Sequence, residues 1–172
     1  MAAHTRGGRV GSISGEVRLR IEVTAYDHSD AVALIAEVQQ EYVVRYGGQD
    51  ATPVDPAEFV PPRGLFLVAY VDGVPAACGG WRAHETDVEL KRMYVTPAFR
   101  GRGLARAVLA ELERTAVEGG YRRVILETGQ QQPEAIALYR SAGYVPVPSF
   151  GYYADSPNAV HLGKDVVCPS MR

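Results

Sequence analysis

Residues 87–105 read DVELKRMYVTPAFRGRGLA, and this stretch decides the fold. Its first nine residues have the pattern of a strand, and a glycine-rich turn then leads into a helix predicted over 103–118. A helix that begins in this way directs unpaired backbone N–H groups, and the positive end of its dipole, at one point. The stretch therefore predicts a loop that binds a phosphate or a pyrophosphate.

The loop itself combines two glycines with basic side chains. Gly101 and Gly103 let the backbone approach a bulky anion, and Arg100, Arg102 and Arg106 add charge-assisted donors. An ordinary strand-to-helix turn with solvated arginines is the alternative for these residues taken alone. A nucleotide-hydrolysing loop would need Gly-Lys-Ser or Gly-Lys-Thr, which the chain lacks, and a dinucleotide-binding loop would need a third glycine where Arg106 stands.

Hydrophobic periodicity on either side of this stretch predicts the other elements. The predicted strands are 17–24, 65–71, 74–82, 87–95, 123–128, 144–147 and 160–164, and the predicted helices are 30–46, 103–118 and 133–142. We expect Asp27 and Ser29 to cap the first helix and Asp72-Gly73 to form a hairpin turn. The fourth strand, the second helix and the fifth strand form one unit, which predicts a parallel crossover in an α/β fold.

Size and composition indicate one globular domain. The 172 residues are 47% hydrophobic and 22% charged, which suffices to bury a core without metal or disulfide support. We assign residues 17–167 to this domain, 1–16 to a flexible tail and 168–172 to a C-terminal tail. Residues 1–16 have no apolar segment of the kind that a secretory signal contains.

Charge and cysteine content argue against several classes of partner. The net charge of −2 disfavours a nucleic-acid binder, and no apolar run approaches the roughly 20 residues that span a bilayer. Cys78 and Cys168 are the two cysteines, and the four histidines are scattered, so we expect neither a disulfide framework nor a metal site. A cytoplasmic location fits this pattern.

Three motifs together resemble one family. They are ELKRMYV at 89–95, Arg100-x-x-Gly103-x-Ala105, and QPEAIALYRSAGY at 132–144. From about residue 17 to 164 the chain is similar to the GNAT superfamily of N-acetyltransferases, whose hallmark is Arg/Gln-x-x-Gly-x-Gly/Ala between the fourth strand and the helix that follows it. Gln132 departs from the family, which often has Asn there, although Gln can make similar hydrogen bonds.

The resemblance implies a fold and a co-substrate. The fold is a mixed α/β acyltransferase fold, with flanking helices on a mostly antiparallel central sheet, in which the fourth strand carries a bulge and splays from the parallel fifth strand. The co-substrate is acetyl-coenzyme A, whose pantetheine arm would insert between these two strands. The implied contacts are the backbone of Met93, Tyr94 and Val95, the loop residues Arg100, Gly101, Arg102, Gly103, Leu104 and Ala105, and the residues Thr128 and Gln132.

Two residues match the catalytic positions of the family. An alkyl amine has a pKa of about 10.4, so a base must remove its proton at neutral pH. The resemblance implies Glu89 on the fourth strand as this base, and an exposed Glu89, or one paired with Arg82 or Lys91, is the alternative. Tyr139 matches the tyrosine that gives a proton to the departing thiolate, and a tyrosine packed at a helix surface is its alternative.

Further residues are expected around an acceptor pocket or in the core. The proline-rich stretch 49–63 is long for a plain connection, and such loops often cover sites. Tyr152 and Tyr153, with Asp55 and Glu58 of this stretch, are candidates for lining the pocket, and solvated loops are the default alternative. Trp81 is expected to fill the core rather than to recognise a substrate.

The resulting prediction is an N-acetyltransferase that moves an acetyl group from acetyl-coenzyme A to a primary amine by direct attack. A small-molecule acceptor is favoured because nothing in the chain resembles a module that binds a protein partner. The alternatives are a protein lysine or N-terminal acetyltransferase, and a sensor that binds acetyl-coenzyme A without turnover. The sequence does not identify the acceptor, and it leaves a homodimer open.

Overall fold

The computed structural model describes residues 10–13 and 17–166, and its strands form one mixed sheet. The strands are β1 (Val10–Ile13), β2 (Val17–Thr24), β3 (Gly64–Val71), β4 (Val74–His84), β5 (Asp87–Val95), β6 (Arg123–Gly129), β7 (Val145–Pro146) and β8 (Ala159–Asp165). The helices are α1 (Ser29–Tyr46), α2 (Leu104–Glu118) and α3 (Pro133–Ser141), and short 3-10 helices cover Pro56–Phe59 and Pro97–Phe99. Within the described residues the strand order is β1-β2-β3-β4-β5-β6-β8-β7.

Strands β5 and β6 are parallel, whereas the other neighbouring strands of the described sheet are antiparallel. They pair at Val88–Val124 and Glu89–Ile125, near the start of each strand, and then diverge. These are the predicted fourth and fifth strands. Their numbers are higher by one here because β1 was not predicted. The mixed α/β fold with a splayed parallel pair is therefore confirmed.

A β-bulge interrupts the pairing of β4 with β5. The β4 partners of Lys91 and Tyr94 are separated by one residue, Gly79, whereas two residues, Arg92 and Met93, lie between them on β5. Arg92 has a φ of 61°, in the left-handed region. A Cβ on Gly79 would lie 2.5 Å from the sulfur of Met93, so a side chain at residue 79 would force the Met93 side chain to move. The bulge implied by the family resemblance is present.

Helices cover both faces of the sheet. The buried residues of α2 recur at helical spacing and pack on one face, and those of α1 pack on the other. Trp81 belongs to the core on the α2 side, where its Nε1 donates to Oγ1 of Thr115 at 2.9 Å, which confirms its predicted place. Full burial of a large apolar side chain contributes about 1.5–3 kcal/mol, so the α1 and α2 layers stabilise the sheet from both faces.

The structure corrects the predicted first cap and part of the predicted N-terminal tail. The cap of α1 is His28, whose Nδ1 accepts from the N–H of Asp30 at 3.1 Å, because Ser29 is already helical and Asp27 lies too early. Val10–Ile13, predicted as part of a flexible tail, pair with β2 as an antiparallel strand and satisfy its edge. The other residues of the two predicted tails, and residue 167 of the predicted domain, lie outside the described residues.

Two further local features follow from residue chemistry. The hairpin turn is confirmed, since Asp72 and Gly73 have φ values of 49° and 80° between β3 and β4. The strand predicted at 144–147 shortens to β7, because Pro146 has no N–H to contribute to a longer ladder. None of the helices in the described part of the chain is long and apolar enough to cross a membrane.

Candidate active site

A cavity of about 340 Å³ opens where β5 and β6 diverge. Residues 90–93 of β5 and 126–129 of β6 line it, together with Tyr42 and Tyr46 of α1 and Tyr139 of α3. Residues of the two loops that follow α1 and β7 complete the lining. The cavity lies at the carboxyl ends of parallel strands, where open α/β sheets bind ligands.

The gap between the two strands suits an extended ligand. Beyond Glu89 and Ile125 the facing backbone groups of β5 and β6 no longer pair with each other. Met93 lines the cavity, whereas Tyr94 and Val95, the other two predicted backbone contacts, lie further along β5 outside its lining. An arm that pairs along the strand as a pseudo-strand would meet all three, and their role stays a prediction.

The glycine-rich loop follows β5 and ends at the amino end of α2. Gly101 and Gly103 have φ values of 77° and 79°, and a Cβ on either residue would meet no atom within 4 Å. Gly103 is the N-cap of α2 and has no side chain to bond the first turn, so the first N–H groups of the helix keep their donor capacity. This open cradle of backbone donors fits a pyrophosphate.

The side chains of the loop have protein contacts of their own. Arg100 donates from Nη2 to Oε1 of Glu41 at 2.9 Å and from Nε to the β5 backbone. The guanidinium carbon of Arg102 lies 5.4 Å from the ring centroid of Phe99, and Leu104 is buried in the core. These contacts leave the loop backbone, including the N–H of Ala105 in the first turn of α2, as the predicted anion-binding element.

Lys91, Arg92 and Asp50 form a charged cluster on one wall of the cavity. Nζ of Lys91 donates to Oδ2 of Asp50 at 3.0 Å, and Nη1 of Arg92 donates to the same oxygen. Consecutive side chains of a regular strand point to opposite faces. The bulge removes this alternation, so that two successive cations reach one carboxylate.

Asp50 fixes the loop that follows α1. Its Oδ1 accepts from the N–H and Oγ1 of Thr52 at 2.9 and 2.6 Å, and its own N–H donates to Oε1 of Gln39 at 2.8 Å. Burial raises the pKa of Asp50, but Lys91, Thr52 and Arg92 outweigh burial and hold this pKa well below its usual range. The residue therefore stays ionised at neutral pH. Gln49 and Asp50 line the cavity, and the role of the 49–63 loop as a cover of the site stays a prediction.

Glu89, the predicted base, lies outside the lining of the cavity. It is buried, and its Oε1 accepts from Nε of Arg82 at 2.8 Å. Arg82 also contacts Glu58 at 3.1 Å. This position matches the ion-paired alternative that the sequence left open, and the role of Glu89 as a base stays an unsupported prediction.

Glu127 is the carboxylate that lines the cavity from β6. Burial, the largest cause, raises its pKa from 4.5 to about 7, and Lys91 opposes this rise while Asp50 and Glu89 add to it. Glu127 is not among the predicted site residues, and it falls near the end of the predicted strand 123–128. The sequence feature that could have identified Glu127 as a site residue is its position at the carboxyl end of a parallel strand, where ligands bind.

Tyr139 lines the same cavity from α3, as the sequence predicted. Its side chain is buried, and its ring meets that of Tyr144 edge to face, with the two centroids 5.6 Å apart. Burial raises the pKa of Tyr139, so the phenol keeps its proton. Among the described residues no side chain or backbone group bonds its hydroxyl, which leaves the hydroxyl available to a ligand.

The remaining predicted contacts divide into cavity residues and others. Thr128 and Gln132 both line the cavity, as does Tyr153, whose hydroxyl accepts from the N–H of Ala51 at 2.9 Å. Tyr152 is 60% exposed and does not line it. Asp55 caps the first 3-10 helix and Glu58 binds Arg82, so these two also lie elsewhere.

Two cavity residues had no signal in the sequence. Tyr42 and Tyr46 are one helical turn apart on α1, and neither of them is among the predicted site residues. Tyr46 packs so closely on Gly129 that a Cβ there would lie 2.0 Å from its hydroxyl oxygen. No group of three or more potential metal ligands occurs in the described part of the chain.

Together, the splayed strands, the glycine-rich loop and the cavity define an acyl-coenzyme A transferase fold and site. The chain belongs to the acetyltransferase (GNAT) family, whose model matches residues 32–144. It is therefore an N-acetyltransferase that uses acetyl-coenzyme A as its co-substrate. Two named proteins and two solved structures are similar to this chain.

The chain is 33% identical over 136 residues to the IAA acetyltransferase of Azospirillum brasilense, which covers 77% of this chain and 88% of that protein. It is 35% identical over 106 residues to the N-acetylaspartate synthetase of Homo sapiens, which covers 60% of this chain and 35% of that protein. An assigned acyl-CoA N-acyltransferase from Klebsiella pneumoniae matches with a TM-score of 0.71 and 30% identity over 86% of this chain and 97% of that one.

A GNAT family acetyltransferase from Elizabethkingia anophelis, solved with acetyl-CoA bound, shares the fold with a TM-score of 0.62. Its identity is 13%, over 86% of this chain and 97% of that one. This likeness concerns the fold alone.

Proposed function

We propose that this enzyme transfers the acetyl group directly to the primary amine of a small molecule, with Glu127 as the base and Tyr139 as the hydrogen-bond donor to sulfur. One observation carries the proposal: the two side chains line the same cavity, one from β6 and the other from α3. The gap that suits the pantetheine arm opens into this cavity, so an acetyl group held there would meet both residues.

Glu127 suits the base because of its proton affinity. An alkylammonium with a pKa of about 10.4 pays roughly 4.6 kcal/mol to lose a proton at pH 7. A carboxylate with a pKa of about 7 accepts that proton more readily than one with a pKa of 4.5, and it is still about half ionised at neutral pH. Glu127 takes one proton from the ammonium, and the nitrogen then forms its bond to the acetyl carbon.

Tyr139 acts at the other end of the reaction. As the carbon–sulfur bond breaks, its electron pair stays on sulfur, and the second proton of the nitrogen is finally transferred to that sulfur. The buried phenol of Tyr139 remains protonated, so it donates a hydrogen bond where this negative charge develops. Such donors stabilise the transition state more than the ground state.

The form of the cavity supports a small acceptor. Its volume of about 340 Å³ lies in the range of small-molecule sites, and the bond from Ala51 to Tyr153 joins the two loops at its edge. One relative is named for N-acetylaspartate, an acetylated small molecule. From the composition we also propose a cytoplasmic location without a nucleic-acid or membrane partner, and we leave a homodimer open.

The test is release of the coenzyme A thiol from acetyl-coenzyme A in the presence of a panel of small amines, and separately of lysine-containing and N-terminal peptides. We expect turnover with at least one small amine at a kcat/KM at least tenfold above that for any peptide. A preference for peptides would assign the enzyme to protein acetylation. Binding of acetyl-coenzyme A without thiol release from any acceptor would make the protein a sensor.

A further inference from the structure

The cavity contains two buried cations that share one fixed carboxylate. The side chains of Lys91 and Arg92 are 7% and 3% exposed, and both bind Oδ2 of Asp50. Glu89 does not compensate for the second cation, because it is bound to Arg82. Glu127 compensates only while it is ionised, and as the base it becomes neutral when it takes the proton of the amine. At that moment the cavity has one uncompensated positive charge.

Lys91 has unused donor capacity. An ammonium group has three N–H donors. Among the described residues Asp50 is the acceptor that Nζ of Lys91 contacts, although the side chain is buried and lines the cavity. A buried charge is stable when it is paired and hydrogen-bonded. The remaining donors of Lys91 therefore call for an acceptor from a ligand.

The co-substrate does not supply a negative charge to this wall of the cavity. The predicted pyrophosphate position is the loop of residues 100–105, and none of these residues lines the cavity. The pantetheine arm that suits the gap is uncharged. The positive wall therefore faces the amine acceptor, on the side covered by Asp50 and Tyr153.

We propose that the acceptor is a small amine that also carries a carboxylate, and that Lys91 binds this carboxylate while Glu127 faces the amine. The inference rests on the proposed function and deepens it to a substrate class, the amino acids in the broad chemical sense. Lys91 of β5 and Glu127 of β6 line the same cavity of about 340 Å³, so one small zwitterion bound there can meet both charges. The carboxylate also balances the charge that remains when Glu127 is protonated.

The test compares matched acceptors by thiol release at one pH. The probes are α-, β- and γ-amino acids, their carboxamides and the corresponding amines without a carboxyl group. We expect at least one amino acid to exceed its carboxamide in kcat/KM by about 10- to 100-fold, the worth of a hydrogen bond to a charged group. Carboxamides or plain amines that are used equally well would overturn this inference and leave the proposed function standing. No thiol release with any probe or peptide would overturn both.

Two variants assign the effect to Lys91. Lys91→Met keeps the length of the side chain and removes the charge, and Lys91→Arg keeps the charge. The preference for the amino acid over its carboxamide should fall by about 10- to 100-fold in Lys91→Met and return in Lys91→Arg. A change in the proton affinity of Glu127 affects both acceptors alike and cancels in this ratio. An unchanged ratio in a folded Lys91→Met variant would contradict the assignment.

Binding without turnover gives an independent measurement. With coenzyme A present in place of acetyl-coenzyme A, the preferred amino acid should raise the Tm of the wild type but not that of Lys91→Met. Equal shifts in both proteins would exclude Lys91 as the binding residue. Should Lys91→Met fail to fold, the wild-type ratio of amino acid to carboxamide and the Lys91→Arg variant decide the question.

Discussion

Nε of Arg82 donates to Oε1 of Glu89 at 2.8 Å, and this buried ion pair lies beside the cavity rather than in it. A carboxylate held in this way is poorly placed to receive a proton from an amine. The neighbouring parallel strand presents Glu127 to the cavity instead. The two strands thus offer two carboxylates with separable roles, and each can be replaced by its amide.

The first prediction concerns the base. In the wild type, the pH profile of kcat at saturating amine should have an acidic limb, in which kcat rises through pH 7 as Glu127 loses its proton and then levels off. Glu127→Gln should lower kcat by about 10²–10⁴-fold at pH 7 and abolish this limb, with partial recovery above pH 9 where neutral amine is more abundant. The control is Glu89→Gln, which should keep the limb. A limb lost in Glu89→Gln and kept in Glu127→Gln would restore Glu89 as the base.

The second prediction concerns stability and the same carboxyl group. Burial raises the pKa of Glu127 in the folded protein, so its contribution to stability is full below pH 4.5 and is lost as pH rises through 7. Between pH 5 and pH 8 the free energy of unfolding of Glu127→Gln should therefore rise by about 2 kcal/mol relative to the wild type. Urea unfolding at both values measures it. A difference that does not change with pH would mean that Glu127 titrates normally.

The third prediction concerns the hydroxyl of Tyr139. Tyr139→Phe should reduce the single-turnover rate of acetyl transfer by about 10²–10⁴-fold, because the hydroxyl acts mainly in the transition state, and KM for acetyl-coenzyme A should stay within a few-fold. Tyr144→Phe is the matched control, since its hydroxyl donates to Glu113 outside the cavity. Equal transfer rates in Tyr139→Phe and the wild type would return Tyr139 to a packing role.

The fourth prediction concerns the donor loop. Gly103→Asp places a negative charge at the N-cap of α2 and should abolish binding of acetyl-coenzyme A in titration calorimetry. Gly120→Asp is the control at the other end of the helix, where φ is 88° and a Cβ also meets no atom within 4 Å. It carries the same charge and similar backbone strain. Unchanged affinity in a folded Gly103→Asp protein would place the pyrophosphate elsewhere.

The fifth prediction concerns Asp50. Asp50→Asn leaves Lys91 and Arg92 as buried cations without a carboxylate, which should cost about 3–5 kcal/mol in the free energy of unfolding. Thr52→Val removes only the neighbouring hydroxyl and should cost about 1 kcal/mol. Urea unfolding at pH 7 distinguishes the two. Equal small losses would show that water already compensates the cations.

The parts of the site that depend on local sequence could be predicted. The turn at Gly101 and Gly103, the strand before it and the helix after it all lie within residues 87–118, and Tyr139 lies in a contiguous motif. The charged cluster of Lys91, Arg92 and Asp50 could not be predicted, because Lys91 and Asp50 are 41 residues apart and meet only in the folded chain. The proton affinity of Glu127 likewise depends on burial, which no local pattern of residues encodes.

At the bulge in β5, the backbone and the side chains have separate roles: the backbone concerns the acetyl donor, and the side chains concern the proposed acceptor. The irregular backbone of the bulge lies in the part of β5 that borders the gap between β5 and β6, whereas the charges on the cavity wall belong to the side chains of Lys91 and Arg92. On the role proposed for Lys91, substitution at this position changes the preferred acceptor and leaves the acetyl-coenzyme A site in place. Deletion of one residue would restore the alternation of the strand and remove both capacities together. Acceptor specificity can thus diverge by substitution on an unchanged catalytic frame.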